Sequence, residues 1–298
     1  MSPVQLGRRA LALVSPTGQG DTFWWRFLLP WNALAYFYRY RYLIAQLAWR
    51  EIAGRYKGTH LGVLWSLVNP LLLLGVFLLV FGLIFEGKFN RGIGETRTDY
   101  ALGLFCGLSI FNFVAEVISR SPTLLVSNAN YVTKVVFPLE VLGLAMVLGA
   151  FVHLLLNFSI LLLGCWVFHG ALPPTTPIAL FLFIPLGLLG LGIAWTLSAL
   201  GVFVRDVTAV LETGIQVLMY GSAIFYSPDL IPRKLAWVEL LIRFNPIAQI
   251  INETRRAIVF GFPLNEERCL YVWIVGGVGA FIGLAFFLRS RHAFADVL

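Results

Sequence analysis

Charge is scarce in this sequence. Only 12% of its 298 residues are Asp, Glu, Lys or Arg, against roughly 25% in an ordinary soluble domain, so too little charge is present to cover a water-soluble globule of this size. Histidine is sparser still, with four residues dispersed along the chain. The three cysteines, Cys106, Cys165 and Cys269, lack metal-ligand spacing, and the first two fall inside apolar runs, where a thiol packs as a small hydrophobe. The sequence also lacks the GxxxxGK[ST] loop that cradles nucleotide phosphates, the HExxH zinc helix and the GxSxG nucleophile elbow. No metal or cofactor is expected on this chain, and any energy source must lie on another polypeptide.

What remains is apolar. Hydrophobic residues make up 59% of the chain, and runs long enough to cross a bilayer, about 20 residues each, recur from Leu61 onward. The pattern predicts an all-α integral membrane protein with six transmembrane helices, over 61–85, 100–119, 139–168, 177–204, 213–226 and 270–288. The fifth is short. Its apolar stretch reaches back toward Val207, and Glu212 and Gln216 share one face four residues apart.

Six spans place both termini on one side. Thirteen Lys or Arg fall on that side and nine on the other; positive residues are retained in the cytoplasm, so both termini are expected inside. The net charge of +7 thus reflects membrane topology, and no nucleic-acid partner is expected. After Arg8 and Arg9 comes a short apolar patch and then a polar, turn-rich stretch at 15–21 without a convincing cleavage site. Insertion is expected to rely on the later spans.

Two segments depart from the spanning pattern. Residues 1–35 are read as an N-terminal cytoplasmic extension, and 36–58 as an amphipathic helix. In that helix Arg39, Gln46, Arg50 and Lys57 recur at seven, four and seven, with Phe37, Ile44, Ala48 and Ile52 opposite. Such a face suits the headgroup boundary. The stretch 227–267 is amphipathic but interrupted by Pro228, Pro232, Pro246 and Pro263, which predicts two short helices, outside the membrane or re-entrant. Asn245 followed by Pro246 is a strong helix start, a side-chain cap before a residue whose missing N–H costs nothing there. The second short helix is expected to run to about Phe260 and stop at Gly261.

Within the spans, Glu116 and the pair His153 and Asn157 stand out, because polar groups in hydrocarbon face a bundle interior. His153 and Asn157 share a helix face, but two separate sites make a poor proton relay, and interhelical hydrogen bonding is the favoured role. Aromatic residues make up 15% of the chain. Trp65, Phe77, Phe81 and Phe85 dominate one side of the first span, and Tyr220, Phe225 and Tyr226 crowd the fifth. Aromatic faces stack on planar or C–H surfaces with little specificity, so a channel lined by them would pass a polymer; packing is the plainer role for any single ring.

Local motifs add a resemblance. Trp49-Arg50-Glu51, Arg55-Tyr56-Lys57-Gly58-Thr59 and Leu61-Gly62-Val63-Leu64-Trp65 running into Asn69-Pro70 resemble the start of the membrane subunit of ABC-2 type polysaccharide exporters, which move O-antigen, capsule and teichoic acid chains. Val136-Phe137-Pro138-Leu139-Glu140, Phe203 to Asp206, Asn245-Pro246 and the C-terminal residues from Phe294 extend the likeness over nearly the full length. The resemblance implies a homodimer of this chain with two copies of an ABC nucleotide-binding subunit that carries ATP and Mg. It further implies an undecaprenyl-linked polysaccharide as substrate, and residence among the lipids of the bacterial inner membrane. It makes 36–58 an interface helix and 59–298 the transmembrane domain, with a coupling helix at about 121–135 and outer gate helices at about 228–262. By the same analogy Arg50, Arg55 and Lys57 lie at the lipid-head entrance. Glu51, Ser127, Asn128, Asn130, Tyr131 and Lys134 meet the ATPase, and Pro232, Arg243, Asn245, Pro246, Arg255 and Arg256 belong to the outer gate. Two rival functions are an ABC-2 exporter of a drug or small lipid, and a membrane enzyme acting on polyprenyl-linked sugars. The enzyme would need clustered acidic residues at one membrane face, and Asp206 and Glu212 are the nearest approach.

Overall fold

The computed structural model describes residues 30–56, 65–84, 89, 95–133, 137–204, 206–228 and 231–297. Every regular element among them is helical, and no strand occurs among the described residues. The chain divides into one unit ending at Arg41 and a second running from Tyr42 to Leu298.

Within the first unit, helix α1 (Pro30–Arg39) ends at a turn on Tyr40. The Tyr36 ring lies 4.9 Å from that of Tyr40, and the Arg41 guanidinium stacks 4.4 Å from the Tyr38 ring. Helix α2 (Arg41–Tyr56) follows. The single helix expected over 36–58 is therefore two, because the chain turns at Tyr40. Ile44 and Ala48 of the expected apolar face are buried, whereas Gln46 and Arg50 opposite them are exposed.

In the second unit, α3 (Trp65–Phe77) continues as a π-helix (Leu78–Ile84), with Pro70 inside it. Helix α4 (Arg97–Arg120) is the buried centre: Ala101, Leu102, Leu104, Phe105, Ile110, Val114 and Val117 are all shielded, which explains its nearly continuous apolar sequence. A capping box starts it. Thr96 Oγ1 accepts from the Asp99 amide at 3.3 Å, and Asp99 Oδ2 accepts from the Thr96 amide at 2.8 Å. After a turn at 121–125 come a 3-10 turn (Val126–Asn128) and α5 (Ala129–Thr133). The remaining elements are α6 (Glu140–His169), α7 (Thr176–Leu180), α8 (Phe183–Phe203), α9 (Val207–Gly221), α10 (Ala236–Phe244), α11 (Pro246–Ile258), α12 (Glu266–Ser290) and α13 (Phe294–Val297).

Among the described residues, four helical stretches are long and apolar enough to cross a membrane: Arg97–Arg120, Glu140–His169, Thr176–Phe203 and Glu266–Ala293. They coincide with the second, third, fourth and sixth expected spans. The first expected span is represented by a shorter apolar stretch, Leu67–Phe81. For the fifth, α9 begins at Val207 and stops at Gly221, so Phe225 and Tyr226 lie in the following turn and not in a span. The reach back toward Val207 is as expected; the extension to Tyr226 is not. There the chain leaves the helix, with the non-glycine Ala223 at φ 51°.

Polar ties join helix ends. His169 Nε2, at the end of α6, lies 2.6 Å from Asp99 Oδ1 of α4, and at the start of α6 Glu140 Oε1 lies 3.7 Å from Nη1 of Arg291, just past α12. Trp195 Nε1 donates to the Glu140 carbonyl at 3.0 Å. Helices α8 and α12 cross through glycine: a Cβ at Gly276 would come 2.5 Å from the Pro185 carbonyl oxygen, and one at Gly283 would collide with the backbone of Gly192. Small residues let two backbones approach where lipid supplies no hydrophobic drive. Gly283→Ala is expected to cost about 1–3 kcal/mol through overpacking, read as a lowered unfolding midpoint in detergent. Gly277→Ala, one turn and a half away with nothing within 4 Å of the added carbon, should leave the midpoint unchanged.

Candidate functional site

The α4 terminus gathers one set of the expected residues. Glu51 of α2 pairs with Arg120 Nη2, and Arg120 Nη1 also reaches Glu116 Oε1 at 3.2 Å. Arg50 Nη1 donates to the Tyr131 hydroxyl at 3.1 Å, its guanidinium 5.9 Å from that ring, and Tyr131 stacks on Phe137 at 4.6 Å. Arg50, Glu51 and Tyr131, selected from the sequence, are thus brought together; Arg120 and its bridge to Glu116 were not foreseen. Ser127 and Asn130 are exposed, whereas the Asn128 amide nitrogen donates to the Leu124 carbonyl at 2.9 Å. The turn before them is held from a third direction, since the Pro122 carbonyl rests on Gly201 with no room for a side chain between. Lys57 and Lys134 lie outside the described residues, as does the side chain of Arg55.

Above this network α3, α4 and α6 surround a cavity of about 670 Å³. Its polar lining comes from Trp65 and Asn69, from Ser109, Asn112 and Glu116, and from His153 and Asn157. Each set repeats at three or four residues, so each presents one stripe of its helix. Glu116 and the His153–Asn157 pair, expected as separate sites, are therefore parts of one cavity. Ser109 and Asn112 escaped notice in the sequence, though their spacing from Glu116, seven and four residues, carries the signal. Amides and carboxylates are costly against hydrocarbon, and here they face a shared cavity between three helices. Along α4, Asn112 stands eight residues from Arg120, roughly 12 Å of helix.

The aromatic residues divide. Phe77, Phe81 and Phe225 pack on a buried cluster of Phe89, Tyr100 and Leu104, with Phe260 beside them; Phe81 and Phe89 approach Tyr100 at 5.8 and 4.5 Å. Tyr100 also donates to the Phe225 carbonyl at 2.8 Å. Trp65 is separate, on the polar cavity. Tyr220 is exposed, while Tyr226 packs on Ala223, Ile242 and Ala248, donates to the Tyr220 carbonyl at 2.9 Å and has its phenol pKa raised by burial. Phe85 lies outside the described residues.

Helices α10 and α11 are the two short helices expected over 227–267. Asn245 Oδ1 accepts from the amides of Ile247 and Ala248 at 3.0 and 3.4 Å, with Pro246 as the first helical residue. Asn245 Nδ2 also donates to the Gly221 carbonyl at 3.0 Å, tying this start to the end of α9. The helix closes at Ile258, and Gly261 turns the chain with φ 69°. Pro232 and Arg243 are exposed. Arg255 is fully buried: Nε donates to the Gly103 carbonyl at 3.1 Å, Nη2 to the Ile224 carbonyl at 2.9 Å, and the guanidinium lies 4.1 Å from the Phe89 ring. Arg256 instead shares the buried Glu253 with Arg268, at 3.4 and 3.0 Å. Of the three arginines assigned to the outer segment, Arg255 is an internal brace.

This succession of helices has a family counterpart, for residues 42–259, from α2 through α11, match the ABC-2 type transporter. The chain belongs to that family. It is 28% identical over 86% of its length to the O-antigen export system permease protein RfbA of Klebsiella pneumoniae, covering 95% of that protein. It is 24% identical to the RfbA of Myxococcus xanthus, over 87% of this chain and 96% of that one. The polysialic acid transport protein KpsM of Escherichia coli is 25% identical over 82% of this chain and 92% of its own. In this ABC-2 transporter chain the matched region contains the Glu51–Arg120 network, the polar cavity and the Arg255 brace.

Proposed function

We propose that the chain is the membrane subunit of an ATP-driven exporter of a lipid-linked cell-surface polysaccharide. The observation that carries this reading is near full-length similarity to permeases named for O-antigen and polysialic acid transport. In this reading two copies form the membrane part, and two copies of a nucleotide-binding subunit supply ATP and Mg. The complex resides in the bacterial inner membrane with both termini inside. The first span is α3 with its π extension, α9 is the fifth, α2 lies at the headgroup boundary, α5 and the preceding 3-10 turn receive the ATPase stroke, and α10 and α11 close the outer end.

Arg50, Arg55 and Lys57 guide the anionic lipid head, and the polar cavity behind Trp65 gives the first sugars a hydrated surface inside the membrane. The packed rings of Phe77, Phe81 and Phe225 are the closed form of the path beyond it. Nucleotide acts through its different affinity for the closed and open states. The test is reconstitution with the partner ATPase and a cellular export assay. ATP hydrolysis and surface glycan should both require the pair of proteins. Arg55→Glu with Lys57→Glu should cut export at least tenfold while the complex still assembles; normal export would refute electrostatic loading.

A further inference from the structure

Helix α10 has three sides. Ile242 is buried with Ala223 and Ala248, and Val238, four residues earlier, packs on the same cluster. Glu239 and Arg243, also four apart, are exposed on a second side. The third side carries Trp237, Leu240, Leu241 and Phe244, which are 54 to 64% exposed. Their spacing of three, one and three residues makes a continuous stripe about 100° wide along the whole helix. Large apolar side chains bared along one stripe mark a contact surface.

The depth of that stripe follows from α12. This helix is uncharged from Cys269 to Leu288, about 30 Å at 1.5 Å per residue, which is the thickness of one hydrocarbon core. Glu266, Glu267 and Arg268 then stand at headgroup level, with the exposed Leu270 and Ile274 just below them. The end of α10 sits at this boundary: the Tyr271 hydroxyl donates to the Phe244 carbonyl at 2.6 Å, and Arg243 and Phe244 share a pocket with Arg268 and Tyr271. A helix at that level, with one side on protein and one side charged, offers its third side to lipid. A second copy of the chain fits less well, because a stable interface takes about 20–30 residues a side and this stripe has four. A glycan platform would need polar partners between its rings, and Leu240 and Leu241 stand there instead. We propose that α10 is an interfacial anchor, its stripe of Trp237, Leu240, Leu241 and Phe244 inserted among phospholipid acyl chains at the Glu266 end of α12, the outer leaflet in the export reading. The exposed Lys234 and Arg243 extend to the phosphates, and Trp237 takes the boundary position that suits an indole. The anchor rests on α12 crossing the membrane and is independent of the cargo.

The probe is a nitroxide on Leu241→Cys, Phe244→Cys or Glu239→Cys, in the full chain placed in nanodiscs of phosphatidylethanolamine with phosphatidylglycerol. Cys106 and Cys165 are buried, so Cys269→Ser leaves the introduced thiol as the one that reacts. Power-saturation EPR compares collisions with oxygen, which partitions into lipid, and with a water-soluble nickel chelate. Oxygen should exceed nickel at least threefold at 241 and 244, and nickel should exceed oxygen at 239. Nickel access at 241 and 244 puts the stripe in water and overturns the proposal. Exclusion of both reagents, with spin–spin broadening between labelled chains, makes the occupant a second copy and overturns it too. A label on Val278→Cys, exposed at the middle of the α12 run, checks the frame. Nickel access there refutes the crossing of α12 and the anchor with it, whereas oxygen there and nickel at 241 refutes the anchor alone. Where a cysteine variant fails to fold, chain-brominated phospholipid decides: the emission that Trp237→Phe removes from the parent should be quenched at least twofold, and an unquenched Trp237 overturns the anchor.

Discussion

Arg255→Leu is expected to remove most of the folded protein. The guanidinium is fully buried and holds the Gly103 carbonyl in mid α4 and the carbonyls of Ala223 and Ile224 in the turn after α9, while stacking on Phe89. Leucine fills part of the volume and strands those carbonyls together. Leaving a buried carbonyl without its donor costs about 1–3 kcal/mol, so the loss of several together is a large part of a total stability of about 5–15 kcal/mol. Arg255→Lys should recover less than half of the loss, because one ammonium cannot replace Nε and Nη2 donors set in a rigid fork. The measurement is folded yield and unfolding midpoint in detergent. Arg256→Ala serves as the comparison: it leaves Glu253 paired with Arg268, so its cost should stay within about 1 kcal/mol. Equal effects of Arg255→Leu and Arg256→Ala would refute the brace.

That arginine also marks how far the sequence could be read. Long apolar runs announced α4, α6, α8 and α12 because span length is imposed by the bilayer. Asn245-Pro246 announced the start of α11 because a cap is a local, two-residue device. Arg255 carried no such mark. Its neighbours in the fold, Gly103 and Ile224, lie far away in sequence, and a cation in an amphipathic helix reads as exposed until its partners are known. The break at Tyr40 was hidden for a related reason: the stripe from Arg39 to Lys57 keeps helical period through a single-residue turn. Glycine told a mixed story. Gly276, Gly279 and Gly283 repeat at three and four residues, a legible stripe, but its partner on α8 becomes visible only in the crossing. The polar cavity was half legible: Glu116, His153 and Asn157 were distinctive singly, and only the packing of α3, α4 and α6 makes them neighbours of Asn69 and Asn112.

Exchanging the charges of Glu51 and Arg120 should restore a function that either single change destroys. Glu51→Arg would set two guanidinium groups against each other, and Arg120→Glu would set a third carboxylate beside Glu51 and Glu116. Each would detach α2 from the end of α4, where the turn leading to α5 is pinned against Gly201 and where Arg50 meets Tyr131. In the proposed coupling role of α5, a stroke delivered there would then reach α4 poorly. The pair is only partly buried, which places its coupling between the small values of surface pairs and the larger ones of buried networks, about 0.5–3 kcal/mol. Each 1.4 kcal/mol is a factor of ten, so either single variant should lower glycan export by about 3- to 100-fold. The double exchange returns a cation to face two carboxylates, at positions 116 and 120, and should recover export to within about threefold of the parent by this coupling. Surface glycan is measured alongside co-purification of the ATPase, which separates lost coupling from lost assembly. If the double variant exports no better than the worse single variant, the two residues act independently and the network does not transmit the stroke.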